Sequence, residues 1–256
     1  MDRKNEYIAV FDSGVGGISV LRQLRRELPQ ERFLYFGDSA NAPYGDRSVE
    51  EVRSLTLAAA KMLMDRGIKA LVVACNTATA AAIELLRQKY PDEIIIGIEP
   101  AVKLAADHHP HGRVGVMATR VTLNQERFED LLVRCGGGLE IVRIPAPGLV
   151  ELIEEGKADS PETEALLTEI LGPWRNELDA LVLGCTHYPF VKDAVARIQG
   201  DGTELLDGSA GTARETRRRL AEAGLLRTGQ GEVVMEDSAA GDAVLELAWR
   251  LLEQPE

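Results

Sequence analysis

A chain of 256 residues can bury one large core or two modest ones, and its 45% apolar content is ordinary for a globular protein. A net charge of −12 without a compensating basic cluster argues against a nucleic-acid surface, and no apolar run is long enough to span a membrane. Three cysteines form no disulfide framework and no C-x-x-C pair, so a reducing cytoplasm is the expected location.

The start, Met1-Asp2-Arg3-Lys4-Asn5-Glu6, leads into a strand without the apolar core of a signal peptide. Tyr7 to Phe11 reads as the first strand. The turn Asp12-Ser13-Gly14-Val15-Gly16-Gly17 then opens a helix that stops before Pro29. A strand over 33–36 runs into the loop Gly37-Asp38-Ser39-Ala40-Asn41-Ala42-Pro43-Tyr44-Gly45. Ser48 with Glu51 forms a capping box for a helix reaching about Arg66. Ala70-Leu71-Val72-Val73-Ala74 is a β-branched run of the kind buried on both faces of a parallel sheet, and it ends at Cys75. A helix over 78–89 and a strand over 93–98 follow.

From Glu99 the pattern repeats. Val114 to Thr119 matches the first strand at an offset of 106, which puts Thr119 where Ser13 stood. After a helix, a strand over 140–144 and two helical stretches, Ala180-Leu181-Val182-Leu183-Gly184-Cys185 echoes the Cys75 strand at an offset of 110. Ser160 and Pro161 mark the start of the second helical stretch. A strand ends at Asp207, then helix, weak strand and helix close the chain; Arg217-Arg218-Arg219 reads as a solvated helix face. This alternation predicts an α/β fold of two similar parallel-sheet domains, 1–98 and 99–207, with 208–256 as a C-terminal segment.

In open α/β sheets the ligand crevice lies beyond the carboxyl ends of the strands, where both Cys75 and Cys185 are expected. A free cysteine is often only a small buried hydrophobe. Against that stand the matched positions, the polar followers Asn76-Thr77 and Thr186-His187, and the helices expected after both thiols, whose N-termini favour thiolates. The Asp12–Gly17 turn is either a tight βα connection or a carboxylate-binding helix start; it is neither a G-x-G-x-x-G nor a P-loop. Cys135, before Gly136-Gly137-Gly138, reads as inert. His108, His109 and His111 read as a solvated loop lacking metal-ligand spacing, and Glu154 and Glu155 as surface carboxylates.

Together these motifs resemble the cofactor-independent glutamate racemases of the aspartate/glutamate racemase superfamily. The resemblance covers nearly the whole chain. It rests on the Asp12–Gly17 turn, Pro43-Tyr44-Gly45, Cys75-Asn76-Thr77, Ala118-Thr119 with Thr122, Leu152-Ile153-Glu154-Glu155-Gly156 and Cys185-Thr186-His187. It implies two domains facing across a cleft, the final segment returning to the first, and interconversion of L- and D-glutamate by two cysteines without pyridoxal phosphate or metal. It further implies that Asp12 assists Cys75, while His187 and Glu154 assist Cys185. Ser13, Pro43, Tyr44, Gly45, Asn76, Thr77, Thr119, Thr122 and Thr186, with Asp12 and His187, would hold the substrate. A homodimer supplying D-glutamate for peptidoglycan is implied as well. Two departures are visible: Ser39 follows Asp38 where threonine is common, and Ala146 stands where cysteine is common. A racemase of aspartate or another amino acid, a thiol hydrolase built on Cys185, His187 and Glu154, and a dicarboxylate-binding protein remain as alternatives.

Overall fold

The computed structural model describes residues 3–135 and 138–254; Met1, Asp2, Gly136, Gly137, Pro255 and Glu256 lie outside the described residues. Two compact units emerge. One runs to Ile98 and resumes at Ser209; the other is Glu99–Gly208.

The first unit opens with β1 (Tyr7–Asp12), α1 (Ile18–Glu27), β2 (Arg32–Gly37), α2 (Val49–Met64), β3 (Ile68–Val73), α3 (Asn76–Lys89) and β4 (Ile95–Gly97). The capping box at α2 forms as expected: the Ser48 hydroxyl accepts from the Glu51 amide while the Glu51 carboxylate accepts from the Ser48 amide. All six residues of β3 are buried, as its apolar run requires. The strand expected over 93–98 narrows to Ile95–Gly97, because only Leu71 to Val73 pair with it.

The second unit holds α4 (Val102–His108), β5 (Arg113–Ala118), α5 (Arg120–Asn124), α6 (Glu126–Cys135), β6 (Glu140–Pro145), α7 (Leu149–Glu154), α8 (Pro161–Leu171), β7 (Ala180–Leu183), α9 (Lys192–Gln199) and β8 (Glu204–Asp207). The chain closes in the first unit with α10 (Ser209–Glu222), β9 (Glu232–Asp237) and α11 (Ala243–Glu253).

Both sheets are parallel throughout. Their orders are β4-β3-β1-β2-β9 and β6-β5-β7-β8. Read from the other edge, the second is β8-β7-β5-β6, so β5 to β8 take the places of β1 to β4. The repeat seen in the sequence is therefore a repeat of topology, with β9 added beside β2. In the second unit Met117, Leu181 and Leu183 pack towards α7, α8 and α9, whereas Val114, Val116, Ala180 and Val182 pack towards α4 and α6. Helices on both faces explain why these strands are continuously apolar rather than alternating.

Two local expectations fail. The helix after Cys75 begins at Asn76 rather than Ala78, with Cys75 itself as N-cap: its sulfur accepts from the Ala78 amide at 3.4 Å. No α-helix follows Cys185 directly. Tyr188–Val191 forms a 3-10 turn carrying Pro189, and α9 starts only at Lys192. A helix N-terminus therefore lies at one thiol but not at the other.

Candidate active site

In each unit the chain leaves the first strand to one side and later returns on the other. The switch points fall between β1 and β3, and between β5 and β7. Ligand crevices form at such points, beyond the carboxyl ends of the strands. The candidate residues occupy these two places.

In the first unit β1 ends at Asp12 and β3 leads into Ala74 and Cys75. Asp12 is fully buried and its Oδ1 accepts from the Gly14 amide at 3.0 Å, which folds the turn back over the strand end. Ser13 Oγ lies 3.4 Å from Cys75 Sγ, so the turn and the thiol meet. Gly17 makes this packing possible. A Cβ there would stand 2.6 Å from the Asp12 Cβ and 3.2 Å from that of Ala74. Asn76 and Thr77 form the first turn of α3, both nearly buried, and Asn76 Oδ1 has no hydrogen-bond partner among the described residues.

The loop after β2 joins this group. The Asp38 amide donates to the Asp12 carbonyl at 3.0 Å. Its carboxylate, itself buried, accepts the Tyr44 hydroxyl at 2.6 Å and the Asn41 side-chain amide at 3.0 Å. Burial, and then the bond to Asp38, push the Tyr44 phenol up, so it remains a neutral donor. The neighbouring Cys75 and Asp12 act in the same direction. Tyr44, between Pro43 and Gly45, is thus held by Asp38, a residue to which the sequence motifs assign no role of its own.

In the second unit Cys185 follows β7, and His187 bridges it to Glu154 at the end of α7. Cys185 Sγ is 3.6 Å from His187 Nδ1, and His187 Nε2 is 2.6 Å from Glu154 Oε1. Burial of the imidazole opposes its charge, but bonds to Cys185 and Glu154 outweigh this and raise its pKa well above the usual histidine value. The His187 imidazole thus stands against the sulfur of Cys185, where the N-terminus of α3 stands against that of Cys75. The surface reading of Glu154 from its position in a helical run is corrected: its side chain is only 17% exposed, and it is paired with His187. Thr119 caps α5, its hydroxyl accepting from the Thr122 amide at 3.3 Å and donating to the Thr122 hydroxyl at 3.0 Å. Thr122 and Thr186 are buried. Ala146, where the motif commonly has cysteine, is buried, and its carbonyl accepts from the Tyr188 hydroxyl at 3.4 Å.

The other candidates stand apart. Partial burial pushes the Cys135 thiol up, which lowers its reactivity. His108 belongs to the last turn of α4 rather than to a loop, and with His109 it contacts the Glu204 carboxylate at 2.9–3.0 Å. No cluster suited to a metal, and no helix long and apolar enough to cross a membrane, occurs among the described residues. A cavity of about 420 Å³ lined by Arg25, Phe33, Val233 and Trp249 involves the opposite, amino ends of β2 and β9.

Two doubly wound sheets that share the order of four strands each place a buried thiol beside polar side chains at a switch point. Residues 16–216 match the model of the Asp/Glu/Hydantoin racemase family. The glutamate racemase of Clostridium botulinum is 45% identical over 256 residues, covering 99% of both chains. Among solved structures, glutamate racemase from Thermus thermophilus in complex with β-chloro-D-alanine is similar at a TM-score of 0.84 and 37% identity, over 99% of this chain and 95% of that one. Glutamate racemase from Francisella tularensis in complex with D-glutamate gives a TM-score of 0.87 at 29% identity, over 98% and 95%. The chain belongs to the Asp/Glu/hydantoin racemase family and is an amino-acid racemase.

Proposed function

We propose that this racemase interconverts L- and D-glutamate without a cofactor, with Cys75 and Cys185 as the two acid/base groups at one Cα. The observation that carries the reading is the equivalence of the two thiols. Each follows the strand that pairs with the first strand of its unit, and each has a polar neighbour at its sulfur, the N-terminus of α3 at Cys75 and His187 at Cys185. Racemisation needs this duality, because one group must remove the α-proton while another delivers a proton to the opposite face. For L-glutamate the Cys185 thiolate takes the proton, with His187 and Glu154 holding the charge nearby, and the Cys75 thiol supplies one. For D-glutamate the roles exchange, with Asp12 assisting Cys75.

Recognition of an anionic substrate by so acidic a chain falls to local donors. The first turn of α3 offers backbone N–H groups at a helix N-terminus, and Ser13, Thr77, Thr119, Thr122 and Thr186 offer hydroxyls. Asn76 Oδ1 is an acceptor suited to the substrate ammonium, which would relieve the cost of leaving it unpaired. The loop at Pro43, Tyr44 and Gly45 completes the set. Glutamate rather than aspartate is favoured by the relatives at about 45% identity. D-Glutamate formed in this way would serve peptidoglycan synthesis in the cytoplasm, made by a homodimer.

The Cys185–His187–Glu154 chain also has the order of a hydrolase nucleophile, base and orienting carboxylate. That reading gives Cys75 no task. The deciding experiment incubates the protein, dialysed against hydroxylamine and EDTA, with each enantiomer of glutamate and of aspartate in D₂O. Circular dichroism follows racemisation and NMR follows loss of the α-proton. Activity on glutamate that needs no addition is expected; inactivity on glutamate, or activity restored only by pyridoxal phosphate, refutes the proposal.

A further inference from the structure

The loop 38–45 is tied from inside by Asp38, but a second set of bonds reaches it from a strand nearly 200 residues later in the chain. Gly37, the last residue of β2, pairs with Asp237, the last residue of β9. Past that pair the Asp237 carboxylate turns towards the loop. Its Oδ2 accepts from the Ser39 hydroxyl at 2.7 Å and its Oδ1 from the Ala239 amide at 2.7 Å. The next residue repeats the pattern: the Ser238 hydroxyl accepts from the Ala40 amide at 3.0 Å, while the Ser238 amide donates to the Gly37 carbonyl at 2.9 Å.

Ending a parallel ladder requires only the last of these bonds. Of the others, the bonds to Ser39 and Ala40 join the Asp237 and Ser238 side chains to the loop, and the bond to Ala239 turns the chain after β9; none is a ladder bond. Gly37 is what lets them form, because a Cβ there would stand 2.4 Å from Asp237 Oδ2 and 3.0 Å from the Gly14 carbonyl. The same glycine therefore admits both the Asp12–Gly17 turn and the β9 carboxylate. Ser39, the residue that departs from the family pattern, is the hydroxyl that Asp237 holds.

We propose that Asp237 and Ser238 are positioning residues for substrate binding, holding the 38–45 loop from outside while Asp38 holds it from within. The proposal rests on the reading of that loop as part of the glutamate site. Neither residue touches the reacting atoms. The loop carries neither proton-transfer thiol, so loosening it weakens the bound ground state and the transition state alike. Such uniform loss raises KM and leaves kcat in place.

The test compares wild type with Asp237→Ala, Asp237→Asn, Ser39→Ala, Ser238→Ala and the Ser39→Ala/Asp237→Ala double variant, each well below its melting temperature. Loss of one such bond corresponds to roughly a five-fold rise in KM for glutamate. That rise is expected in the three single alanine variants, with kcat within two-fold of wild type. Asparagine keeps an acceptor for the Ala239 amide and can donate to Ser39, so Asp237→Asn should stay within two-fold of wild type in both constants. Because Ser39 and Asp237 act through one bond, the double variant should be no worse than the poorer single one. A merely structural role would lower the melting temperature and the active fraction, and so apparent kcat, with KM unmoved. An unchanged KM in Asp237→Ala, or additive effects in the double variant, overturns the proposal. Failure of wild type to turn over glutamate would instead overturn the functional reading. Hydrogen exchange of the 38–45 peptide, faster in Asp237→Ala if the clamp exists and unchanged if it does not, decides the clamp independently.

Discussion

Gly17→Ala is the sharpest perturbation of the Cys75 half of the site. Gly17 caps α1 at φ −61° and ψ −9°, a conformation that alanine adopts without strain, so any effect comes from space alone. The new methyl would lie 2.6 Å from the Asp12 Cβ. Carbon atoms rest about 3.5–4.0 Å apart, so one partner must move by about 1 Å. Neither has room: Asp12 is fully buried and bonded to the Gly14 amide, and Ala74, 3.2 Å from the new methyl on another side, is also fully buried. Overpacking of this kind costs about 1–3 kcal/mol. For a protein of this size that lowers Tm by roughly 2–10 °C. The loss of activity should be larger. A displacement of about 1 Å at a catalytic group can cost on the order of 100-fold in rate. Racemisation by circular dichroism and thermal unfolding measure the two effects. Gly211→Ala is the control: this helical glycine faces open space, and alanine there should stabilise the protein by about 1 kcal/mol with unchanged activity. If Gly17→Ala kept wild-type kcat at temperatures where it is folded, the placement of Asp12 would not matter to the chemistry.

Replacing either Cys75 or Cys185 by serine should stop racemisation. With a β-chloro analogue of glutamate, which needs only proton abstraction before chloride leaves, Cys75→Ser should still eliminate HCl from the L form and Cys185→Ser from the D form. Racemisation at the normal rate by Cys75→Ser would refute the two-thiol reading. His187, whose folded pKa is raised, adds stability that is complete below its unfolded value of about 6.5 and is lost as pH rises through the elevated value. The stability difference between wild type and His187→Asn, from urea midpoints, should therefore shrink above pH 6.5; a flat or growing difference would contradict the charge assignment. Lys69 and Glu31 form an almost wholly buried pair, with side chains 0% and 2% exposed. Lys69→Met strands the carboxylate and should cost about 3–5 kcal/mol in urea unfolding, a large part of it recovered by Lys69→Met/Glu31→Gln. A loss below about 1 kcal/mol would mean that the pair is solvated.

What was legible in the sequence was what local rules encode. The Cys75 and Cys185 strands showed as β-branched runs, and the Ser48–Glu51 capping box showed as two residues at fixed spacing. Capping rules put the start of α3 two residues late because they recognise side-chain oxygens, and Cys75 caps with sulfur. The break after Cys185 is not legible because a proline near a strand end fits a helix start as well as the 3-10 turn that forms. Glu154 is a surface carboxylate by every periodic criterion; only the fold brings it to a histidine 33 positions away. Lys69 is a lone cation in an apolar run, and nothing local announces that Glu31 will meet it. Asp237 closes what reads as a weak strand, and its importance comes entirely from pairing opposite Gly37. Motifs of interacting neighbours were readable, whereas partners joined only by the sheet were not.

The two halves share the order of four strands and the position of the thiol but differ in the side chains beside it, and under the proposed mechanism this asymmetry has a definite kinetic signature. Enantiomers have equal free energies in an achiral solvent, so racemisation has an equilibrium constant of unity. The value of kcat/KM must then be the same from L- and from D-glutamate, whatever residue is altered. Asp12→Asn and Glu154→Gln therefore cannot harm one direction of kcat/KM alone; each must lower both equally. Their difference can appear only in how the loss divides between kcat and KM for each enantiomer, and in single-face elimination, where the return proton is not needed. Asp12→Asn should spare elimination from the L analogue and Glu154→Gln from the D analogue. Progress curves from each enantiomer, fitted together, check the constraint. A variant that appeared to racemise one enantiomer with full kcat/KM and the other with little would show that the assay was following a reaction other than racemisation.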